Sequence, residues 1–578
     1  MPYKSRWTVP VPECSLPTFL FNSPTQSLGA QRCFSEAARP DTHYFTRDTF
    51  RLWAQRFALG LQRSKHFKKG DRILLFSGND LFVPVVFMGV LCAGGIFTGA
   101  NPTFVARELA HQLRDSGATY LLCADGSIDT GIEAARLAGL DPSERVFVYN
   151  ASIYDDDDDD QNQNQNQNQR TTTTTTTKSR RSGTIKGCKY WGELVAPAED
   201  ARGFQWDDLT GPGECDKTLA LNYSSGTTGV PKGVEITHRN YISNTVQVAN
   251  IARQHPEYEA RNARARWLCF LPLYHAYGQT YYVAGAFNRA VPVYVMPKFD
   301  FEKMLEYTQR FRITDLTLVP PIAVLLAKHP AVEKYDLSSV ENVGCGAAPL
   351  GRDVSLQVEK RLGNGLNLKQ GWGWDINKKS FSAAVGEPNA NCEAKIMSED
   401  GTHEITGRGP ENVGELWCRG PNVMKGYWGN PKATAETLTP DGWLKTGDIA
   451  YVDAEGMFFI VDRKKELIKV KGNQVAPAEL EALLLEHEDI ADAAVIGMPT
   501  DDGDEKPRAF IVRQPGVGAA LTEDEVKRFV EGKVVRYKRL AGGVEFVEAI
   551  PKNPSGKILR RQLRDTTRER LRREGARL

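Results

Sequence analysis

Between residues 72 and 150, short strand-like apolar runs alternate with longer helix-like ones: RILLFSG, VVFMGVLCAG, VARELAHQLRDSGA, TYLLCAD, SIDTGIEAARLAGL and RVFVYN. A strand that is repeatedly followed by a helix must re-enter its sheet by a crossover, so this order predicts α/β layers around mostly parallel strands. Within it, LFVPVVFMGVLCAGGIFTGA at 81 to 100 is uncharged and long enough to imitate a membrane span. It contains Pro84 and four glycines and follows the strand-and-turn pattern GDRILLFSGND. A buried helix feeding a second strand is therefore expected, with no transmembrane span. At 578 residues the chain also exceeds what one hydrophobic core holds, and several domains are expected.

The alternation stops at 155 to 182, where DDDDDD, QNQNQNQNQ and TTTTTTT precede KSRRS. Such a tract cannot bury enough apolar area to offset the entropy of ordering it, and it reads as a low-complexity, disordered surface insertion. A second organisation starts near residue 462. FFIVD runs into the basic stretch RKKELIKVKGNQ, then VAPAELEALLLEHE, where Pro477 suits a helix's first turn. ADAAVIG and AFIVRQ read as strands, and LTEDEVKRFVEG as a helix with Thr522 and Glu525 spaced as a capping box. The expected division is a large multi-layer N-terminal body over 1–461 and a small, mobile α+β body over 462–578, with a hinge near Lys465.

Charge and cysteine usage narrow the function. Lys plus Arg number 73 against 72 for Asp plus Glu, so no overall field draws the protein to nucleic acid or an anionic membrane, and small-molecule chemistry is expected. The ten cysteines contain no CxxC pair, which suggests neither a zinc site nor a disulfide framework. Pro10, Pro12 and Glu13 interrupt the place where a secretion signal would need an apolar run. The chain ends Ala576-Arg577-Leu578, the small-basic-leucine form of a peroxisomal address, so peroxisomal location through the import receptor is expected, otherwise a cytoplasmic one.

The stretch YSSGTTGVPKG at 223 to 233 carries the chemistry. A Walker loop needs Ser or Thr after its lysine, and here Gly233 follows Lys232. Yet Ser224, Ser225, Thr227 and Thr228 offer hydroxyls, Gly226 and Gly229 let backbone N–H groups close in, and Lys232 adds a charge. The loop reads as a polyphosphate cradle.

YSSGTTGVPKGVEITHRN resembles the phosphate loop of the adenylate-forming enzymes: acyl- and aryl-CoA synthetases, peptide-synthetase adenylation domains and firefly luciferase. LPLYHAYG, GCGAAPLG, QGWG, GELWCRGPNVMKGYW, GWLKTGDIA, VDRKKELIKVKGNQVAPAELE and PKNPSGKILRR follow in the family's order. The last two resemble 4-coumarate-CoA ligases and their peroxisomal relatives most closely. The resemblance implies two steps: a carboxylic acid attacks the α-phosphorus of ATP, releasing pyrophosphate, and the CoA thiol then displaces AMP from the acyl adenylate. With no carrier domain recognisable after Lys557, free CoA is the expected acceptor, and an aryl or medium-chain acid the expected substrate.

By motif position, the resemblance implies that Ser224, Ser225, Gly226, Thr227, Thr228 and Lys232 cradle the β- and γ-phosphates. Gly346, Ala347 and Ala348, with Gln370, Gly371, Trp372 and Gly373, would line the adenine slot. Asp448 would accept the ribose hydroxyls with Arg463 assisting, where a plain turn aspartate and a solvated arginine are the structural alternatives. Lys557 in PSGK would bridge carboxylate and α-phosphate during adenylation, and His275 would gate or orient the acid at the mouth of its pocket. Lys465 matches the hinge, and Lys469, Lys471, Gly472 and Gln474 match positions that touch adenylate or CoA; for Lys464 alone, solvated charge is the structural alternative.

Magnesium (Mg2+) is implied as well, but its ligand is unassigned. In the family the QG-aromatic-G turn continues Met-Thr-Glu, whose threonine holds the α-phosphate and whose glutamate holds the metal. This chain has Trp374, Asp375 and Ile376 there. Ile376 can ligate nothing, and Asp375 sits in the threonine's place. WDINKKSFSAAVGEPNANCEAKIM resembles what relatives carry after a further short segment, so QGWG reads as joined to a downstream tryptophan with that segment missing. A catalytically impaired adenylate-binding homologue is therefore the alternative function.

Overall fold

The computed structural model describes residues 2–155, 184–224, 231–346, 350–363, 365–371, 384–471, 473–500, 504–514, 521–553 and 556–573, the last three by their backbone. Most of the low-complexity tract, Ser225 to Thr228, Ala347, Ala348, Trp372, Gly373, the Trp374-Asp375-Ile376 run, Gly472 and residues 576–578 lie outside them.

The alternating segment folds as its pattern requires. Arg72–Phe76, Ile96–Ala100, Ala118–Ala124 and Val146–Tyr149 pair in parallel, with Arg72–Phe76 between Ile96–Ala100 and Ala118–Ala124. The suspected span splits into a helix, Val83–Cys92, buried at every residue, and the fully buried strand Ile96–Ala100. A helix buried all round and a strand buried on both faces are the two ways such an apolar run is accommodated inside an α/β domain. Among the described residues no helix is long and apolar enough to cross a membrane.

Thr218–Ser224 joins this sheet beside Ile96–Ala100 and turns back through Lys232–Thr237 as an antiparallel hairpin. Ser224 and Lys232 are directly opposed across it, so the sequence-predicted phosphate loop is the connection between them. A second sheet has the order Leu368–Gln370, Asn342–Cys345, Asp315–Leu318, Trp267–Cys269, Val293–Val295, Arg32–Glu36, Tyr44–Thr46, parallel except for its last pair. A third, antiparallel sheet contains Gly414–Arg419, Leu444–Val452 and Phe458–Arg463. One buried apolar core runs through the first two sheets and their helices.

The smaller C-terminal domain has its own core, with Ile468, Val475, Leu480, Leu484, Ile490, Val495, Ile511, Val526 and Val530 buried. Pro477 opens the helix Pro477–Leu485, and Thr522 and Glu525 form the expected capping box of Glu523–Glu531. The basic stretch is more ordered than its charge suggests, because Ile468–Val470 and Asn473–Val475 pair as a hairpin whose Ile468 and Val475 enter that core. All ten cysteines are free, eight of them buried.

Among the described residues, several contacts join the two domains. The Lys328 ammonium donates to the carbonyls of Leu485 (2.9 Å), His487 (3.4 Å) and Ile490 (2.6 Å) at the end of Pro477–Leu485 and beyond it. Cations are favoured at a helix C-terminus, where carbonyls lack intrahelical partners. Gly351 packs against Ala482 so closely that an added Cβ would lie 2.9 Å from the alanine's methyl. Gly556 lies equally tight against Val319.

Candidate active site

The strand Leu444–Val452 carries Thr446, Gly447 and Asp448 to one end of the third sheet, opposite Arg463 on Phe458–Arg463. Glu415 fixes this turn: one carboxylate oxygen accepts from the Gly447 N–H (3.2 Å) and the other from the Lys464 ammonium (3.1 Å). Asp448 is buried, pairs through Oδ1 with Arg463 at 2.6 Å, and among the described residues has no hydrogen-bond partner for Oδ2. Burial raises its carboxyl to about 6 against the pull of Arg463 and Lys557. A buried acceptor is normally satisfied, so an orphaned oxygen on a motif aspartate points to a missing donor such as a ribose hydroxyl.

Lys557 comes to the same place from the C-terminal domain. The loop before it is held by the Lys557 N–H donating to Asn553 Oδ1 (2.8 Å) and by Gly556 at φ +80°. The half-buried ammonium is pushed below its ordinary range by desolvation first and by Arg463's charge second, while Glu466 and Asp448 oppose that shift. Mutual influence between Lys557, Arg463 and Asp448 makes them one electrostatic unit built from both domains. Gly556 allows this approach in two ways: its φ belongs to glycine, and an added Cβ would lie 3.0 Å from Val319. Gly556→Ala is expected to slow adenylate formation on the order of tenfold or more through strain of about 1–3 kcal/mol. Single-turnover kinetics should reveal the loss, with thioester formation from preformed adenylate unaffected.

Asp448 also sets a pH dependence. Its folded-state value, about 6, exceeds the ordinary 3.8. The protonated form is thus favoured by folding, and that favourable contribution is complete below about 4 and lost as pH rises through about 6. Asp448→Asn is expected to raise the nucleotide-free protein's Tm by about 2 °C at pH 7 and by nothing near pH 4. The same variant should bind AMP at least about tenfold more weakly, having lost a charged acceptor. Differential scanning calorimetry across pH and AMP titration check the two halves.

His275 lies at one end of a cavity of about 360 Å³ whose lining includes Val319, Gly344, Gly346, Gln370 and Gly371. His275 Nδ1 accepts from the Tyr277 N–H (3.2 Å), which leaves Nε2 as the protonated nitrogen of the neutral ring. Its surface is open to the cavity while protein surrounds it, and desolvation lowers its pKa, favouring that neutral form. A π-helical segment, Gln279–Gly285, turns Thr280, Tyr281 and Gly285 onto the wall, a local irregularity of the kind found at functional sites.

Several sequence-predicted residues make contacts within the protein here. Gln370 is buried and clamps Leu350, accepting its N–H at 3.0 Å and donating to its carbonyl at 2.9 Å. Lys232 stacks over Tyr427 at 4.6 Å. Lys469, Lys471 and Gln474 sit exposed on the short hairpin, away from the cavity lining. The backbone N–H groups of Lys469 and Lys471 donate to Glu505 and Asp504, and Gln474 donates to Glu399. Lys464, for which solvated charge is the structural alternative, is anchored to Glu415 and the Glu399 carbonyl, while Lys465 stays exposed beside it. Glu415, Trp267 and Arg289 escaped sequence reasoning altogether; the glutamate in GELWCRG was the one signal that pointed to any of them.

Among the described residues no cluster of three or more His, Cys, Asp or Glu side chains could hold a metal, so these residues do not by themselves form a magnesium site.

Comparison with known proteins accords with this geometry. Residues 29–428 match the family model for AMP-binding enzymes, and residues 479–557 that for the AMP-binding enzyme C-terminal domain. The chain is 35% identical to 4-coumarate-CoA ligase 2 of Narcissus pseudonarcissus over 538 residues, covering 91% of this chain and 86% of that protein. It is also 35% identical to peroxisomal OPC-8:0-CoA ligase 1 of Arabidopsis thaliana over 512 residues, 86% of this chain and 84% of that one. In fold it resembles ATP-bound MatB from Rhodopseudomonas palustris, with a TM-score of 0.76 at 23% identity, covering 96% of this chain and 99% of the other. It likewise resembles o-succinylbenzoate CoA synthetase from Bacillus subtilis bound to its acyl-adenylate, with a TM-score of 0.70 at 22% identity and coverage of 95% and 98%. With both family models matched in order and the relatives aligned over most of the chain, the chain belongs to the AMP-binding, adenylate-forming enzyme family.

Proposed function

We propose that this protein is an ATP-dependent acid–CoA ligase that converts an aryl or medium-chain carboxylic acid to its acyl-CoA through an acyl-adenylate, releasing pyrophosphate and then AMP. The observation that carries this reading is the meeting of Lys557 with the Asp448–Arg463 pair across the domain boundary, beside an orphaned Asp448 oxygen. Asp448 and Arg463 would hold the ribose, Ser224 and Lys232 would flank the polyphosphate loop, and Lys557 would meet the charge developing between carboxylate and α-phosphate. Repulsion between two anions is relieved by positioned cations and N–H donors, which cost little reorganisation during reaction. Magnesium, when bound with the nucleotide, supplies further charge neutralisation.

Lys465 is the proposed pivot of a turn that exchanges the Lys557 loop for the Lys469–Gln474 hairpin before CoA attacks. Its neighbours support this. Lys464 is tied to Glu415 in the large domain, whereas Glu466 pairs with Arg560, which also grips Glu481 through two bonds of 2.8 and 2.7 Å in the small one. The exposed residue between two anchors is where backbone rotation meets least resistance. Exchange of radiolabelled pyrophosphate into ATP, screened over a panel of aromatic and aliphatic acids, tests the ligase reading. Stimulation by no acid would reject it.

A second reading has its own observation. The Met-Thr-Glu segment expected after Gly373 is missing, and Trp374, Asp375 and Ile376 follow directly, which favours a chain that keeps the nucleotide pocket but adenylates poorly. Location is proposed from the last three residues: a fluorescent protein ending in Ala576-Arg577-Leu578 is expected to enter peroxisomes, and diffuse fluorescence would reject the address.

A further inference from the structure

The cavity beside His275 has two chemically different ends. Across the second sheet, Gly346 follows Cys345, while Trp267 pairs with Asp315 and Asp315 with Asn342. The Trp267 end is thus four strand positions from Gly346, or about 13 Å at about 3.3 Å per residue. The wall between is aromatic, with Trp267 stacked on Tyr281 (centroids 4.2 Å apart, planes 15° apart), and Gly344 leaves its side-chain space empty. Two cations line the cavity. At the far end Arg289 lies 5.2 Å from the Trp267 centroid, while Lys369 stands in register beside Gly344, midway between that end and Gly346.

The Arg289 guanidinium is only partly engaged. Its Nε donates to Asn262 Oδ1 at 3.0 Å, and among the described residues no carboxylate pairs with it. Asp315, the acid that feels its charge, bonds instead to Thr314 and Asn342, and burial favours its protonated form. An unbranched monoacid would press its terminal methyl against this cation and strip its water without replacing it, which is costly. A second carboxylate would instead accept the guanidinium's planar fork.

We propose, resting on the ligase reading above, that the acid this cavity selects is a medium-length dicarboxylic acid. One carboxylate lies at the His275 end for activation, and the other is bound by Arg289 with Lys369 adding charge.

The test is isothermal titration of the full chain with sebacic, suberic and dodecanedioic acids against decanoic, octanoic and dodecanoic acids, with 4-coumaric acid as the neutral-phenol arm. At least one diacid is expected to bind on the order of a hundredfold tighter than its matched monoacid. Arg289→Met is expected to reverse that order, and Arg289→Lys to keep it in weakened form. Equal or tighter binding of the monoacids or of 4-coumaric acid by the unmodified chain overturns the proposal, as does an Arg289→Met loss equal for both series. The unmodified chain's ranking decides the matter even if the variants fail to fold. Pyrophosphate exchange with the same acids separates the two readings: its absence with every acid rejects the ligase, while the binding order still decides the diacid.

Discussion

Lys557→Ala is expected to lower adenylate formation by about two to three powers of ten, the usual loss when a donor aimed at developing charge is removed. The half-buried ammonium shares its environment with Arg463 and Asp448. Its charge is held where desolvation strengthens every interaction it makes. Formation of the thioester from chemically prepared acyl adenylate should survive, because in that step the Lys557 loop is proposed to have turned away. Rapid-quench measurement of both half-reactions decides it, and an equal loss in both would reject a domain that changes roles about Lys465. Where the unmodified chain adenylates too slowly to measure, the comparison is made in the restored chain described next.

Inserting a Met-Thr-Glu-containing segment after Gly373 is expected to raise adenylation by at least about a hundredfold. A threonine donor on the α-phosphate and a metal-holding carboxylate each act on the charge that limits phosphoryl transfer. AMP binding should change little, since Asp448 and Arg463 are already in position. Steady-state assay of both chains with the same acid gives the ratio. Substantial turnover by the unmodified chain, abolished by Asp375→Ala, would instead make Asp375 the metal ligand.

Much of the fold was legible in the order of residues. The strand–helix alternation over 72 to 150 dictated parallel layers, because each apolar run had the length and periodicity of one element and the glycines and polar clusters between them marked the turns. Pro477, Thr522 and Glu525 fixed helix starts through interactions no longer than one turn. The same locality made the motifs that contain Asp448, Arg463 and Lys557 recognisable by resemblance, since each is a short contiguous run.

What joined them was decided only in three dimensions. Asp448 and Lys557 are far apart in sequence, and their meeting depends on how two separate cores dock through Lys328, Gly351 and Gly556. Gln370 and Lys464 took partners that composition does not reveal, Leu350 and Glu415, because burial compels a polar group to find whichever complementary group the fold brings near. The acid cavity was the least legible part. Trp267, Arg289 and Lys369 come from separate elements whose adjacency follows from the order of parallel strands. Periodicity reports which side of an element is buried, but the neighbour across that side is set by long-range topology, and it is there that the cavity's charge was assembled.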